Sequence, residues 1–233
     1  MANQKYEFTE ETREWCGRTL RRIRALVSFG VVIKGELGGF IEAEANLQVF
    51  GNAWVCVDAL VFDDARVSGN ARVFDDARVS GNARVFDDAR VFGNARVSGN
   101  AWVSGNARVS GNAWVYDDAL VSGNARVYDD ARVSGNARVF DDARVSGNAR
   151  VSGNADFFMV GPLGSRRSVL TIHADAKIGI RFSTGCFSGT KYQFKEAIQK
   201  THGDNDYADQ YRAAINFALT VVKPHATEAK VAV

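Results

Sequence analysis

Residues 97–114 read VSGNAWVSGNARVSGNAW, three copies of a six-residue unit that decides the fold. Val recurs at every sixth position from Val49 to Val151, and Ala recurs likewise from Ala53 to Ala155, with no residue inserted or lost. In each Ala-Arg-Val triplet the outer residues are apolar and the middle one is charged, so a short strand would carry Ala and Val on one face. The intervening Gly-Asn and Asp-Asp pairs tolerate left-handed backbone and predict corners.

The length of the repeat determines how these short strands associate. One three-residue strand cannot bury its apolar face, whereas stacked coils can. Three hexads would close a triangular coil, so the eighteen hexads predict about six coils with residues 18 apart lying above one another. An apolar pair that recurs every six residues does not match the 3.6-residue period of a helix. We therefore predict a parallel β-solenoid with Val and Ala inside.

The unit resembles the hexapeptide-repeat family, in which an aliphatic residue is followed four positions later by a small one. This resemblance implies a left-handed parallel β-helix made of a single chain. The flanking residues 17–42 and 160–203 are similar to those of uncharacterised phage and prophage hexapeptide-repeat proteins. That similarity implies a viral or prophage origin but no particular activity, since the fold hosts acyltransferases, carbonic anhydrases and proteins with no known chemistry.

The ends of a solenoid expose an open core and unpaired backbone groups, so they need caps. The chain is accordingly predicted to be mainly β, with an α+β module after the repeat, where the six-residue period stops. The predicted parts are an N-terminal β cap at 1–46, the β-helix at 47–157, a small C-terminal α+β module at 158–222 and a flexible tail at 223–233. Within the module we predict strands at 157–160, 169–173 and 177–182, and helices at 192–201 and 207–222.

The bulk composition excludes several classes of protein. The net charge is only +2, which gives no overall attraction to nucleic acid or to an anionic membrane. No apolar run is long enough for a signal peptide or a membrane span. The three cysteines (Cys16, Cys56 and Cys186) are far apart and favour free thiols in a reducing cytoplasm, here that of a bacterial host. We predict no cofactor and no metal site.

The residue between Ala and Val in each hexad should point outward, which defines three faces of the rod. Residues 49–156 contain 12 Arg and 14 Asp, so the Asp-Asp corners should balance the arginines, and nucleic-acid binding is not predicted. The first face carries Trp54, Arg72, Arg90, Arg108, Arg126 and Arg144. The second carries Leu60, Arg78, Arg96, Trp114, Arg132 and Arg150. The third carries Arg66, Arg84, Trp102, Leu120, Arg138 and Asp156.

Outward aromatic residues predict a binding surface. Exposed Trp, Tyr and Arg are favoured at interfaces, so the partner could be a host protein or a second copy of the chain in a dimer or trimer. The alternative is that the rings only stack on arginines along the rod. The candidate binding residues are Trp102, Trp114, Tyr116, Leu120, Phe74, Phe92, Arg96 and Arg132.

Candidate chemistry lies outside the repeat. The repeat contains no histidine, which disfavours both the general base of an acyltransferase and the zinc cluster of a carbonic anhydrase. In the C-terminal module, Ser165, Arg166 and Arg167 form a turn that suits a small anion or a nucleotide phosphate. Cys186 and His202 are the weak candidates for a catalytic thiol–imidazole pair.

These observations favour a non-catalytic phage or prophage protein that acts by binding. The target would be a host protein, for instance a defence factor that is blocked, or a small anionic or nucleotide ligand that is sequestered. The alternatives are an enzyme that uses the Cys/His pair and a purely structural assembly protein.

Overall fold

A three-sided parallel β-solenoid of about six turns forms the centre of the protein. The computed structural model describes residues 4–153 and 156–223. Within these residues the repeat forms seventeen two-residue strands, from β4 (Trp54–Val55) to β20 (Arg150–Val151), and each of the first fourteen pairs in parallel with the strand 18 residues later. The strands form three sheets whose outward residues match the three predicted faces. The predicted β-solenoid fold is therefore confirmed.

The bounds of the solenoid strands follow the Arg-Val or Trp-Val pairs of the hexads. The first face contains Trp54–Val55, Arg72–Val73, Arg90–Val91, Arg108–Val109, Arg126–Val127 and Arg144–Val145. The second contains Leu60–Val61, Arg78–Val79, Arg96–Val97, Trp114–Val115, Arg132–Val133 and Arg150–Val151. The third contains Arg66–Val67, Arg84–Val85, Trp102–Val103, Leu120–Val121 and Arg138–Val139.

The corners between strands need left-handed backbone, which only some residues supply cheaply. At Gly99, φ is +67°, and a Cβ there would lie 2.7 Å from the backbone nitrogen of Asp117 in the next coil. In the Asp-Asp corners the first aspartate adopts the same conformation, for example Asp87 at φ 57°. Its carboxylate accepts the N–H of Gly105 in the next coil at 3.1 Å. The corner aspartates therefore link successive coils.

The same corner contact recurs along the rod, and a second series of side-chain bonds runs beside it. Asn70 Nδ2, for example, donates to Asp88 Oδ1 at 3.1 Å. Corner aspartates accept a glycine N–H of the following coil in the pairs Asp63–Gly81, Asp75–Gly93, Asp87–Gly105, Asp117–Gly135 and Asp129–Gly147.

The N-terminal residues form an antiparallel cap. Strand β1 (Tyr6–Trp15) pairs with β2 (Arg18–Ala25), β2 pairs with β3 (Leu37–Ile41), and β3 joins the second face by pairing in parallel with Leu60–Val61. A single 3-10 turn, Glu44–Asn46, leads into the repeat.

The first coil differs in register from the prediction. Leu47, and not Val49, lies opposite Val67 and is fully buried. Val49 is only half-buried, and Phe50 beside it is 79% exposed. This corner is two residues longer than the others, so the prediction that Val49 begins the core series was wrong. The predicted last alanine, Ala155, lies outside the described residues.

The cap also covers two residues that were predicted to be exposed on the faces of the rod. Trp54 is 0% exposed, with its ring 5.4 Å from that of Phe29. Leu60 is buried against Leu20 and Phe40 of the cap. Both side chains do point outward from the coil, but they meet the cap instead of solvent.

Hydrogen bonds between coils give the rod a direction. At the Arg, Ser and Asn positions of the hexads, the N–H donates to a carbonyl of the following coil, as from Arg90 to Ala107 at 2.9 Å. The carbonyl groups of the first coil therefore have no preceding coil that could donate to them. The N–H groups of the last coil have no following coil that could accept from them. Buried backbone groups of this kind need partners.

Side chains of the N-terminal cap supply donors to the first coil. Lys5 is 4% exposed, and its Nζ donates to the carbonyls of Gln48 at 3.0 Å and Ala53 at 2.8 Å. Burial lowers the pKa of Lys5 to about 8. The Tyr6 hydroxyl donates to the carbonyl of Leu47 at 3.0 Å.

Replacing Lys5 by alanine should lower the free energy of unfolding by about 2–3 kcal/mol, because two buried carbonyls lose a donor. Urea unfolding would measure the change. Lys34, whose side chain is exposed, provides the control Lys34→Ala, which should change stability by less than about 0.5 kcal/mol. Equal effects of the two substitutions would contradict the role given to Lys5.

The C-terminal module is a four-stranded antiparallel sheet covered by two helices. The strands are β21 (Phe157–Leu163), β22 (Ser168–Asp175), β23 (Gly179–Thr184) and β24 (Phe187–Gly189), in that order across the sheet. The helices are α1 (Lys191–His202) and α2 (Asp206–Val221). The predicted α+β module is confirmed. The short strand β24 was not predicted, since three residues are too few to show an alternating pattern.

Strand β22 takes the place of a further coil at the end of the rod. The N–H of Arg144 donates to Thr171 Oγ1 at 3.2 Å, and the N–H of Asn148 donates to Asp175 Oδ2 at 3.3 Å. In earlier coils the corresponding acceptors are backbone carbonyls. The module therefore caps the solenoid with side-chain oxygens.

Asp156 was predicted to extend the third face, but it has another role. Its carboxylate accepts the N–H groups of Ser152 at 2.9 Å and Gly153 at 3.1 Å, and so ends the last coil. The predicted tail lies, apart from Lys223, outside the described residues. Among the residues that are described, no helix is both long and apolar enough to cross a membrane.

Candidate functional site

The first face carries an unbroken row of arginines, which the other two faces do not. Trp114 interrupts the second face, and Trp102 and Leu120 interrupt the third. Neighbouring coils are about 4.8 Å apart, the usual strand spacing. We call the uninterrupted row the arginine ladder. It consists of Arg72, Arg90, Arg108, Arg126 and Arg144.

The arginine ladder has no acidic partners at ion-pair distance. In residues 4–153 and 156–223, no carboxylate oxygen lies within 4.0 Å of a ladder guanidinium nitrogen. The nearby aspartates serve the corners instead: Asp129 accepts the N–H of Gly147, and Asp142 accepts from Asn124 Nδ2. The predicted balance of charge holds for the sum over the repeat but does not take the form of ion pairs on this face.

A groove of about 360 Å³ lies where the arginine ladder meets the C-terminal module. Arg144 is fixed at its edge because its guanidinium donates to the carbonyl of Gly185. The turn between β21 and β22 brings a fourth guanidinium from the module. We call this cavity the basic groove. Four cationic residues line it, together with one acidic residue, Asp142; the cationic residues are Arg108, Arg126, Arg144 and Arg167.

On the other side of the same arginines lies a cavity of about 310 Å³. Its walls include the rings of Phe92 and Tyr128, and Ser110 lies between them at the level of the intervening coil. Phe74 stacks on Phe92 with ring centroids 4.9 Å apart and planes 1° from parallel, as the ladder register predicts. We call the space between Phe92 and Tyr128 the aromatic slot. Arg108, Arg126 and Arg144 line both cavities.

The predicted anion-binding turn is divided between two cavities. Arg167 lines the basic groove. Ser165 and Arg166 instead line a separate pocket of about 400 Å³ within the module. The turn therefore contributes one of its two arginines to the basic groove, a combination that the sequence did not indicate.

Cys186 and His202 line that second pocket together with Ser165 and Arg166. The Cys186 side chain is exposed, and no hydrogen bond joins it to His202 within the part of the chain that the structure describes. The His202 ring stacks on Tyr211 at 5.8 Å. The two residues share a pocket without the nucleophile–base contact of a catalytic pair.

The aromatic residues of the second face stack on arginines. Trp114 is half-buried, with the guanidinium groups of Arg96 and Arg132 at 5.2 and 5.7 Å from its ring. Tyr116 lies 5.5 Å from the same ring. This arrangement corresponds to the alternative in which the rings stack along the rod, and it leaves little of Trp114 for a partner.

One tryptophan on the third face is exposed to solvent. Trp102 is 43% exposed, and its ring meets the edge of Phe86 at 6.0 Å. The two rings line a shallow groove of about 490 Å³ with Arg66 and Arg84. Leu120 is its neighbour in the next coil. Phe86 was missed as a candidate, although its place directly after Val85 puts it in the outward row beside Trp102.

The repeat is similar to a known solenoid family. A family model described as the YdcK beta solenoid repeat matches residues 65–78, 77–91, 89–105, 101–117, 131–147 and 143–155. These matches lie inside the solenoid and cover neither cap. No curated protein matches the chain. The matches and the architecture together identify the chain as a β-solenoid repeat protein.

Proposed function

We propose that the protein acts by binding, and that its ligand is a multiply charged phosphate compound held in the basic groove. One observation carries the proposal: four guanidinium groups from two separate parts of the chain line one cavity against a single acidic lining residue, Asp142, and no carboxylate among the described residues lies at ion-pair distance from them. Guanidinium groups form paired, charge-assisted hydrogen bonds to phosphate oxygens. An anion there would gain these bonds without displacing a carboxylate from any of the four guanidinium groups, of which Arg144 also donates to the carbonyl of Gly185.

Electrostatics within the arginine ladder favours the same conclusion. Two unit charges about 4.8 Å apart repel by about 1 kcal/mol in water, and by more near a protein surface. Regular coils hold the arginine backbones at this spacing whether or not an anion is present. A ligand with several negative charges relieves the repulsion along several steps at once, so a polyphosphate should bind more tightly than a single phosphate.

Inorganic tripolyphosphate is the probe for this proposal, with affinity measured by titration calorimetry at low ionic strength. Replacing Arg126 by glutamine should weaken binding by about 10- to 100-fold, the range expected for one charge-assisted interaction. The matched control is Arg132→Gln on the second face, which removes the same charge from the same hexad position. It should change the affinity by less than about threefold, because exposed charges are screened at that distance.

Absence of tripolyphosphate binding by the unmodified protein would overturn the proposal. An equal loss in Arg126→Gln and Arg132→Gln would also do so, since it would indicate attraction by overall charge. The affinity should fall as salt is raised.

A phage or prophage origin and a place in the bacterial cytoplasm extend this proposal. In that setting the protein would sequester a phosphorylated small molecule of the host. No step of this role requires a catalytic residue.

A protein partner is the second candidate, and the open tryptophan on the third face favours it. Trp102 and Phe86 offer an apolar surface bordered by arginines, the composition found at the centre of interfaces. Affinity capture from bacterial lysate with the unmodified protein and with Trp102→Ala would test this. The loss of one defined partner in the variant would support a docking role, whereas identical captures would exclude it.

A further inference from the structure

We infer that the phosphate ligand carries a planar ring, as a nucleotide does, and that this ring occupies the aromatic slot between Phe92 and Tyr128. The inference rests on the proposed function, because the phosphates would lie on the arginine ladder. It adds the chemical class of the ligand and a second, separate set of contacts.

An aromatic row on the first face lacks one ring. The outward residues that follow the valines of the first face form a row along the rod, 18 residues apart. Phe74 and Phe92 stack in consecutive coils at 4.9 Å, and Tyr128 continues the row after one interruption. At the interruption stands Ser110, which has no ring. A ligand ring at the level of Ser110 would complete the stack.

The spacing of the coils fits one ring. Two coils separate Phe92 from Tyr128, a distance of about 9.6 Å along the rod from the usual strand spacing. Stacked bases are about 3.4 Å thick, so the space between the two side chains admits one ring and not two. The inserted ring would lie at about 4.8 Å from each neighbour, in the offset geometry that Phe74 and Phe92 already adopt.

The aromatic slot and the basic groove share three arginines. Arg108, Arg126 and Arg144 line the aromatic slot on one side and the basic groove on the other. A molecule with its ring at Ser110 therefore has its phosphates directed across the arginine ladder, toward Arg167. The slot, at about 310 Å³, is at the lower end of the size of small-molecule sites, which suits one nucleoside.

The decisive variant fills the slot with the protein's own ring. In Ser110→Phe the new ring would complete the row and exclude a ligand ring, while every arginine stays in place. The matched control is Ser98→Phe, the same change at the same hexad position on the second face. Circular dichroism and thermal unfolding would verify that both variants are folded, and Tyr128→Ala, which removes one wall, provides a second test.

The probes are adenosine triphosphate and inorganic tripolyphosphate, which present similar phosphate chains with and without a ring. The unmodified protein should bind the nucleotide about 5- to 100-fold more tightly, the range expected for base–aromatic stacking. Ser110→Phe should abolish this preference and leave tripolyphosphate binding unchanged, and Tyr128→Ala should reduce the preference. Ser98→Phe should behave like the unmodified protein.

Equal affinity for the two probes in the unmodified protein would overturn the inference, as would a preference that survives in Ser110→Phe. In both cases, tripolyphosphate binding that depends on Arg126 would leave the proposed function standing. Failure to bind either probe would overturn both. Binding of a single-stranded oligonucleotide far more tightly than the triphosphate would also overturn it, in favour of a nucleic acid that follows the rod.

Discussion

Replacing Asp175 by alanine is expected to lower the free energy of unfolding by about 3–5 kcal/mol, the range for breaking a buried ion pair on one side. The Asp175 side chain is fully buried and forms an ion pair with Arg181 Nε at 2.8 Å. It also accepts the N–H groups of Lys177 at 2.8 Å, Ile178 at 3.1 Å and Asn148 at 3.3 Å. Alanine would leave a partly buried guanidinium and three backbone donors without this acceptor.

The measurement is urea unfolding monitored by circular dichroism, together with limited proteolysis to detect release of the C-terminal module from the rod. Asp76→Ala is the control. Asp76 is an exposed corner residue, and its replacement should change stability by less than about 0.5 kcal/mol. If Asp175→Ala resembles this control, the carboxylate does not hold the module to the last coil.

Lowering the pH from 6.5 to 4 is expected to lower the free energy of unfolding by about 3 kcal/mol through His173 alone. Burial lowers the pKa of His173 to about 4. The Nδ1–H group donates to the carbonyl of Ala174 at 3.1 Å, and this bond raises the pKa, but by less than burial lowers it. The unfolded chain has the ordinary histidine pKa near 6.5 and therefore takes up the proton first. Protonation of the unfolded state below that pH shifts the equilibrium toward unfolding.

Urea unfolding at several pH values between 7 and 4 would measure this dependence. His173→Gln removes the titrating group and should flatten the dependence in this window, whereas His202→Gln should retain it. A dependence of the same slope in His173→Gln would show that another group is responsible. Asp175 does not interfere with this measurement. Burial raises the pKa of Asp175, but Arg181 and the neighbouring N–H groups outweigh this effect and hold the pKa below the usual value. The stability that the Asp175 carboxylate contributes is therefore lost at lower pH than that of His173.

Much of the fold follows from the hexad alone. The spacing of Val and Ala fixes the interior, and the 18-residue coil length fixes which outward residues are neighbours, as in the stack of Phe74 on Phe92. The first coil deviates because packing against the cap decides its register. Leu47 replaces Val49 in the core, and a regular period cannot indicate an enlarged corner.

The candidate site was only partly predictable. The sequence places the five arginines of the ladder above one another, but a sum of charges suggests that aspartates neutralise them. The sum holds, but it does not show that a corner aspartate such as Asp129 is bonded to a glycine N–H of the next coil instead of forming an ion pair with a ladder arginine. The approach of Arg167 from the module depends on tertiary structure. The gap at Ser110 could have been found by writing the sequence in rows of 18.

The repeated bonding from each coil to the next also makes the length of the rod variable in evolution. Donors and acceptors have the same arrangement at most junctions between coils, as from Arg90 to Ala107 and from Arg108 to Ala125. A duplication or deletion of 18 residues would therefore leave both caps and every remaining junction unchanged. The number of arginines in the ladder would change by one, so recombination within the gene could alter the length of the cationic row without a new fold.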